Sequence, residues 1–310
     1  MQPRLSVVVP TRDCLEYLPA ALASLRAQAI GDLQIIVVDD GSSDGTAAYL
    51  AAEAARDPGL TIITRGGGGV AAARNAGMAA ATAPIIGFLD ADDVWRPGAV
   101  ADRLAAHEAD PGLVLSFADY DHVTPEGVGL GTCFAFWPRF ERFIAGRQGI
   151  VPLGRRALAL LYAENVVGTS TVLARRDALE AEQGFSIEFT SAEDWDLWLR
   201  LAQRGRVACS TGLATTYLVR PGSLSRDRPA LIRCVKQVAA RHGLAAARLD
   251  PSAWLACRSR IAVGEAEYAR IIGQKPRALA QHLLALLLSP SGRLARAAAS
   301  DGARLVGLKS

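Results

Sequence analysis

The sequence lacks any apolar run long enough to cross a bilayer: its most apolar stretch, Leu283 to Leu288, falls far short of the roughly 20 residues that a spanning helix needs. No basic and apolar leader with a cleavage site precedes the first strand-like run, Leu5-Ser-Val-Val-Val9, so export and membrane insertion are both disfavoured. Cysteine is sparse and unpaired. Cys14, Cys133, Cys209, Cys234 and Cys257 include no C-x-x-C, and their odd number and scatter point to reduced thiols in a cytosolic protein, not to a disulfide framework or a zinc site. No G-x-G-x-x-G follows the first strand, which argues against a nicotinamide site. The basic stretches carry no aromatic stacking pattern, which argues against nucleic acid as a partner.

What is present suits a folded enzyme. At 310 residues and 50% hydrophobic, the chain can bury one large core or two modest ones, and 21% charged residues of nearly balanced sign exclude disorder of the whole. The net charge of +3 hides an asymmetry: residues 226–310 hold 15 Lys/Arg against 5 Asp/Glu, a balance of +10, leaving −7 for residues 1–225. The two parts are built to meet different partners.

Over the first 120 residues, short β-rich runs alternate with helical patterns. Leu5–Val9, Gln34–Val38, Leu60–Thr64, Pro84–Leu89 and Leu113–Phe117 read as strands, with helices near Leu15–Leu25, after the Gly/Ser/Asp loop to about Arg56, and over Val70–Ala80 and Pro97–His107. Such alternation predicts an α/β fold, a mostly parallel Rossmann-like sheet with helices on both faces. Ligands of such sheets bind beyond the C-terminal strand ends, where Pro10–Asp13, Asp39–Asp44 and Asp90–Asp93 fall. Residues 121–168, rich in Gly, Pro and aromatics, read as helix and loop lining an acceptor cleft. Val166–Ala174 is expected as a strand, Asp194–Arg204 as an amphipathic helix, and Arg206–Cys209 with Ala214–Val219 as two strands. Beyond Arg226 the pattern is helical, broken at Pro251, around Gly273–Pro276 and at Pro290–Gly292. The expected organisation is a catalytic domain over residues 1–225, its nucleotide half about 1–120 and its acceptor half about 121–225, then a helical region over 226–310.

Four constellations carry chemistry. Val37-Val-Asp39-Asp40-Gly-Ser-Ser-Asp-Gly-Thr46 sets two carboxylates at a strand end, beside backbone N–H groups, as acceptors for a base or ribose; a surface turn with a helix cap would use the same residues. Gly66-Gly-Gly-Gly-Val-Ala-Ala-Ala-Arg74-Asn-Ala-Gly77 lets backbone approach a ligand and offers Arg74 to a diphosphate, unless that arginine is simply solvated. In Ile85-Ile-Gly-Phe-Leu-Asp90-Ala-Asp92-Asp93-Val-Trp-Arg-Pro97 an apolar strand ends in three crowded carboxylates, and Pro97 is expected to open a helix. Oxygen ligands of that kind suit Mg²⁺ or Mn²⁺. Finally, Ser191-Ala-Glu193-Asp194-Trp195-Asp-Leu197-Trp198-Leu-Arg200 places Glu193 and Asp194 at a helix start above a stripe of Leu197, Trp198 and Leu201. A carboxylate held there can take a proton from an acceptor hydroxyl, though acidic residues are also ordinary in a first helical turn.

Together with Ser6-Val-Val-Val-Pro-Thr-Arg-Asp13, these motifs in this order resemble the family 2 glycosyltransferases, inverting enzymes of the GT-A fold, over roughly residues 4–225. The resemblance implies that Pro10 and Thr11 flank the nucleobase, Asp40 pairs with it with Asp39 alongside, and Arg74 lies by the diphosphate. It makes Asp92 the main cation ligand, with Asp90 and Ala91 nearby, and Asp194 the general base, with Glu193 and Trp195 in support. Leu218-Val-Arg220-Pro-Gly-Ser223-Leu-Ser225 resembles a segment that places a His or Arg near the phosphates, here Arg220 with Ser223 and Ser225 beside it. The implied reaction is transfer from a nucleotide diphosphate-sugar to a glycan or lipid-linked acceptor in cell-envelope or other surface glycan synthesis. The absence of Gln-x-x-Arg-Trp and of membrane spans speaks against processive polymerisation.

Two other readings use the same residues. A sugar-phosphate nucleotidyltransferase shares the sheet and acidic site but calls for a Gly-rich, basic loop after the first strand, where this chain has Pro10-Thr-Arg-Asp-Cys14; a non-catalytic nucleotide-sugar binding module would not need Asp92 and Asp194 together. In the basic tail, Ala278–Ser289 sets leucines beside Lys275, Arg277, Arg293 and Arg296, a pattern that can lie peripherally on an anionic membrane at the inner face of the cell. The alternative is that Leu283, Leu286 and Leu287 pack against the catalytic domain or a second subunit.

Overall fold

The computed structural model describes residues 2–28, 30–57, 59–220 and 227–305. In chain order its elements begin with β1 (Leu5–Thr11), α1 (Leu18–Arg26), β2 (Leu33–Asp39), α2 (Thr46–Arg56), β3 (Leu60–Thr64), α3 (Val70–Ala80), β4 (Ile85–Phe88), β5 (Val94–Trp95), α4 (Ala101–Ala109) and β6 (Leu113–Val123). Then come β7 (Gly129–Thr132), α5 (Cys133–Phe136), α6 (Pro138–Ile144), β8 (Ile150–Pro152), α7 (Ala157–Ala163), β9 (Leu173–Arg175), α8 (Arg176–Ala181), α9 (Glu193–Arg204) and β10 (Arg206–Leu218). Four helices follow: α10 (Arg228–Leu249), α11 (Pro251–Ile271), α12 (Lys275–Leu288) and α13 (Gly292–Leu305).

The sheet runs β3-β2-β1-β4-β9-β6-β10-β5, with β7 on β6 and β8 on β10. Pairing is parallel among β3, β2, β1 and β4 and between β6 and β10, and antiparallel where β9 joins β4 to β6. Register sets Thr11 opposite Asp39 and Val8 opposite Phe88, so the loops after β1, β2 and β4 leave the same edge.

Alternation along β1 divides the core. Leu5, Val7 and Val9 join Leu18, Leu22 and Leu25 of α1, Leu50 of α2 and Leu104 of α4 in one buried cluster. On the other face Val8 meets α3 at Gly77, where a side-chain methyl would collide with both methyls of Val8. The same face holds a ring triangle of Phe88, Phe185 and Trp198, with centroids 5.3 to 6.0 Å apart, worth about 1 kcal/mol per pair beyond simple burial. Trp198 lies on the stripe of α9. Thus α3 and α9 share one face of the sheet, and that packing fixes where their polar residues meet.

The described chain divides into two compact units, residues 1–157 with 166–223, and residues 158–165 with 224–310. In the second, α11, α12 and α13 meet where Ala262, Ala285 and Leu294 form a cluster supported by Val263 and Leu286. Buried His282 donates Nδ1–H to Asp301 Oδ2 at 2.6 Å, and Asp301 also accepts from Arg270 Nε, so one hydrogen-bond network ties α11, α12 and α13. No helix among the described residues is long and apolar enough to cross a membrane.

Several expectations need correction. Residues 166–174 do not form one strand: Thr169–Thr171 is a 3₁₀ turn and only Leu173–Arg175 is β, because the hydroxyls of 169–171 bond across to other elements instead of extending a ladder. Pro97 does not open a helix; it opens a turn over residues 97–100, with Gly98 at φ +72°, and α4 starts at Ala101. The two strands expected after Arg206 are one, β10, with shifts in its register to β6 between Ser210 and Thr215. The region 121–168 adds strands as well as helices: β6 runs on to Val123 and turns back as β7. Phe134 and Phe140 are core residues packed on Phe117, leaving Phe136 exposed.

Candidate active site

The first two acidic loops are laced together. Asp13 Oδ1 accepts from the N–H and hydroxyl of Ser43, and Asp44 Oδ2 accepts from the N–H of Leu15, at 2.7 to 3.1 Å. Buried Asp39 caps the turn by accepting from the Ser42 N–H. Asp40, 4% exposed, donates its N–H to the Thr11 carbonyl, and its carboxylate accepts from Gly69 N–H at 2.7 Å and Arg65 Nε at 3.3 Å. The Gly-rich run therefore closes over Asp40: Gly67, Gly68 and Gly69 all have positive φ, conformations that favour glycine. Pro10 and Thr11 end β1 beneath this loop, both buried, and Thr11 Oγ1 is a buried hydroxyl with no hydrogen-bond partner. Such an atom at a strand end is a ready contact for a ligand.

After β4 the three carboxylates diverge. Asp90 and Asp92 are partly exposed, whereas Asp93 is 1% exposed, accepting Ser170 Oγ–H at 2.6 Å and the Leu218 N–H at 3.2 Å. Burial, then the charges of Asp90 and Asp92, push Asp93 well above the usual carboxylate range. Asp92 is likewise raised by burial and by Asp90, with Arg220 partly offsetting. Arg220 donates Nε to Asp92 Oδ2 at 2.7 Å, lies 5.2 Å over the Tyr17 ring and reaches Cys14 Sγ at 3.3 Å. Ala91 is buried in the apolar cluster with Leu89 and Trp95, so its side chain is core.

The fourth motif meets the third. Arg74, 4% exposed, donates Nη2 to Asp90 Oδ1 and Nη1 to Glu193 Oε1, each at 2.7 Å, with the Phe185 ring 5.3 Å away. Burial works against its charge, but Asp90, Glu193 and Asp194 outweigh it and hold the guanidinium protonated. The sequence offered Arg74 to a diphosphate; its two terminal nitrogens are instead committed to carboxylates. Burial, then Asp194, pushes Glu193 up to about 6 against the pull of Arg74. Asp194 is the partly exposed member of the pair, in the first turn of α9 after Ala192 at φ +60°. Its Oδ2 accepts from Thr169 Oγ1 at 2.9 Å, and its Oδ1 from the N–H of Trp195, whose ring is buried at 1% exposure and belongs to the core. Ser223 and Ser225 lie outside the described residues.

Sequence reasoning missed Thr169 and Ser170. Besides binding Asp93, Ser170 Oγ accepts the Asp90 N–H, and its carbonyl accepts Trp95 Nε1 and Thr215 Oγ1. One turn of small hydroxyls thus touches both acidic groups. The signal was Gly168-Thr-Ser-Thr171, four small residues inside an otherwise apolar run.

Among the described residues no three His, Cys, Asp or Glu side chains gather as a metal cage. The Asp90 and Asp92 pair still fits a divalent cation that keeps waters and takes substrate phosphate oxygens, because burial and mutual repulsion leave Asp92 short of positive charge. Arg220 now supplies part of that charge.

Residues 6–180 match the family model described as Glycosyl transferase family 2. The chain is similar to a chondroitin synthase of Pasteurella multocida (strain Pm70), 26% identical over 204 residues, which is 66% of this chain and 19% of that protein. It therefore spans about a fifth of that relative's length. It is 25% identical over 225 residues to the UDP-Glc:alpha-D-GlcNAc-diphosphoundecaprenol beta-1,3-glucosyltransferase WfaP of Escherichia coli, covering 72% of this chain and 80% of that one. Among solved structures, the mannosyltransferase PcManGT of Pyrobaculum calidifontis, in complex with GDP-Man and Mn²⁺, superposes with a TM-score of 0.65 at 20% identity over 99% of this chain and 81% of that chain. The architecture is the GT-A fold that the sequence resemblance implied.

Proposed function

The chain belongs to glycosyl transferase family 2, and on that premise we propose that it moves a sugar from a nucleoside diphosphate-sugar to an acceptor hydroxyl, with inversion at C1 and one transfer per encounter. The observation that carries this reading is the tie between two acidic groups: Arg74 joins Asp90 to Glu193, and the turn at 169–170 bonds to Asp90, Asp93 and Asp194. A direct displacement needs a leaving-group site and a base held at a fixed separation, and rigid elements hold both.

In this mechanism the donor's nucleoside lies over Pro10, Thr11, Asp39 and Asp40, with the unpaired Thr11 hydroxyl available to it. Asp194, oriented by Thr169 and by its own helix start, takes the proton from the acceptor hydroxyl as that oxygen attacks C1 from the face opposite the diphosphate. Glu193 is buried on Arg74 and serves to position, while Asp194 keeps the exposure that a base requires. Asp92 with Asp90 would hold Mn²⁺ or Mg²⁺, which supplies charge neutralisation at the leaving diphosphate. Arg220 already faces that place and adds a cationic donor there; a single donor aimed at developing charge is typically worth on the order of 3 kcal/mol. The first compact unit acts as the catalytic domain, with residues 121–157 shaping the acceptor side.

Envelope or other surface glycans are the acceptor class that the named relatives support, and a lipid-linked diphosphate acceptor is the variant that WfaP supports. A thermal-shift screen of nucleoside diphosphates with and without Mn²⁺ tests the reading. One base should raise the melting temperature in a cation-dependent way, and no response to any nucleotide would refute it.

A further inference from the structure

The second unit presents an apolar surface edged with positive charge. On α12 the buried face is Ala278, His282 and Ala285, so the leucines are left outside: Leu283 is 45%, Leu284 39% and Leu287 80% exposed. Within the helical unit Leu283 and Leu287 therefore stay uncovered, whereas Leu286 joins the cluster between α11, α12 and α13. Leu284 and Leu288 continue this surface into a groove of about 240 Å³ shared with Ile261 of α11 and walled by Lys236, Arg258 and Glu265. Glu265 is the one acid there. It takes Lys236 at 2.7 Å and Arg277 at 4.0 Å, while Arg258 stacks 4.6 Å over half-exposed Trp254. Three cations thus face one carboxylate around exposed leucines, in a segment whose balance is +10.

We infer that this face of α11 and α12 docks on an anionic lipid surface, Leu283, Leu284 and Leu287 entering the acyl boundary while Lys236, Arg258 and Arg277 meet lipid phosphates. Charge complementarity selects this occupant. Apolar residues that enter a bilayer from a helix lying flat need cations beside them at headgroup depth, and the long stems of Arg258 and Arg277 can reach it. A protein partner would have to bring its own acidic rim, and a second copy would set like charges against each other if it used the same face. The inference is independent of the sugar-transfer reading.

The test is flotation of the full chain with vesicles of phosphatidylcholine alone and of phosphatidylcholine with about one-third phosphatidylglycerol. Binding to the anionic vesicles alone is expected, released at about 1 M salt, where screening is nearly complete. Arg258→Gln and Arg277→Gln should each weaken it by ~5-fold, and Leu283→Ser with Leu287→Ser should abolish it. Because those leucines are exposed, the double variant should keep its circular dichroism and melting curve; should it not fold, the two arginine variants decide. Equal binding to both vesicle types, no binding at low salt, wild-type binding by the variants, or a self-association abolished by Leu287→Ser without vesicle binding would each overturn the inference. Activity is never read, so failure here leaves the transferase reading intact.

Discussion

Arg74 and Glu193 stand 119 positions apart in the chain and 2.7 Å apart in the structure. With its other terminal nitrogen on Asp90, Arg74 makes the strand end that would hold the donor's cation and the helix start that carries the base into one electrostatic unit. Replacing it strands buried Glu193 without its cation and takes the partner from partly exposed Asp90. Arg74→Met should therefore cost roughly 3–5 kcal/mol in urea unfolding, the range for breaking a buried ion pair from one side. A loss under 1 kcal/mol would mean that the network is ornamental.

Glu193 gives the network a pH signature. Its folded value of about 6 lies above its ordinary 4.5, so the folded state binds its proton more tightly than the unfolded chain does. Its favourable contribution is full below pH 4.5 and is lost as pH rises through 6. In cation-free buffer, wild type should lose on the order of 2 kcal/mol relative to Glu193→Gln between pH 4 and pH 7. Parallel stability curves for the two proteins would contradict the assignment.

Ser170 should matter more than its size suggests. Ser170→Ala leaves buried Asp93 without its hydroxyl donor at 2.6 Å and the Asp90 N–H without its acceptor. A stability loss of about 1–3 kcal/mol is expected in thermal unfolding. Ser170→Thr, which keeps the hydroxyl, should recover part of it.

The parallel half of the fold was legible because its strands read as apolar runs, and the helices beside it because α1 and α9 carry apolar stripes. The breaks between α10, α11 and α12 were legible at Pro251 and Gly273–Pro276, which helices do not pass. What could not be read was long-range. Arg74 looks equally suited to a phosphate or a carboxylate until packing at Gly77 and Trp198 brings Glu193 to it. Thr169–Thr171 looks like a strand because its neighbours are apolar, yet the hydroxyls of Thr169 and Ser170 find Asp194 and Asp93, and that of Thr171 turns back to the Gly168 carbonyl. Leu283 and Leu287 recur at helical spacing like core residues, but alanines and His282 take the buried face.

Asp194→Asn separates base from cap. The variant should fold, since asparagine Oδ1 can still accept from the Trp195 N–H while its amide N–H, in place of the second carboxylate oxygen, donates to Thr169 Oγ1. It should bind donor nucleotide normally and lose transfer by about 10²-fold or more, the scale of a missing general base. Thr169→Val should lose less, since the carboxylate remains and only its orientation is freed. Unchanged turnover with a lower melting temperature would assign Asp194 to capping alone.

Calorimetric titration of nucleoside diphosphates into wild type and Asp92→Asn, each with and without Mn²⁺, tests the central claim most directly. Asp92 takes no part in the buried core and has Arg220 as its ion partner, so the variant should keep its fold. The account predicts that wild type binds at least one diphosphate only when Mn²⁺ is present and that Asp92→Asn weakens this by about tenfold or more, roughly 1.4 kcal/mol. Wild-type affinity in Asp92→Asn with Mn²⁺ present, or no diphosphate binding by either protein, would contradict it.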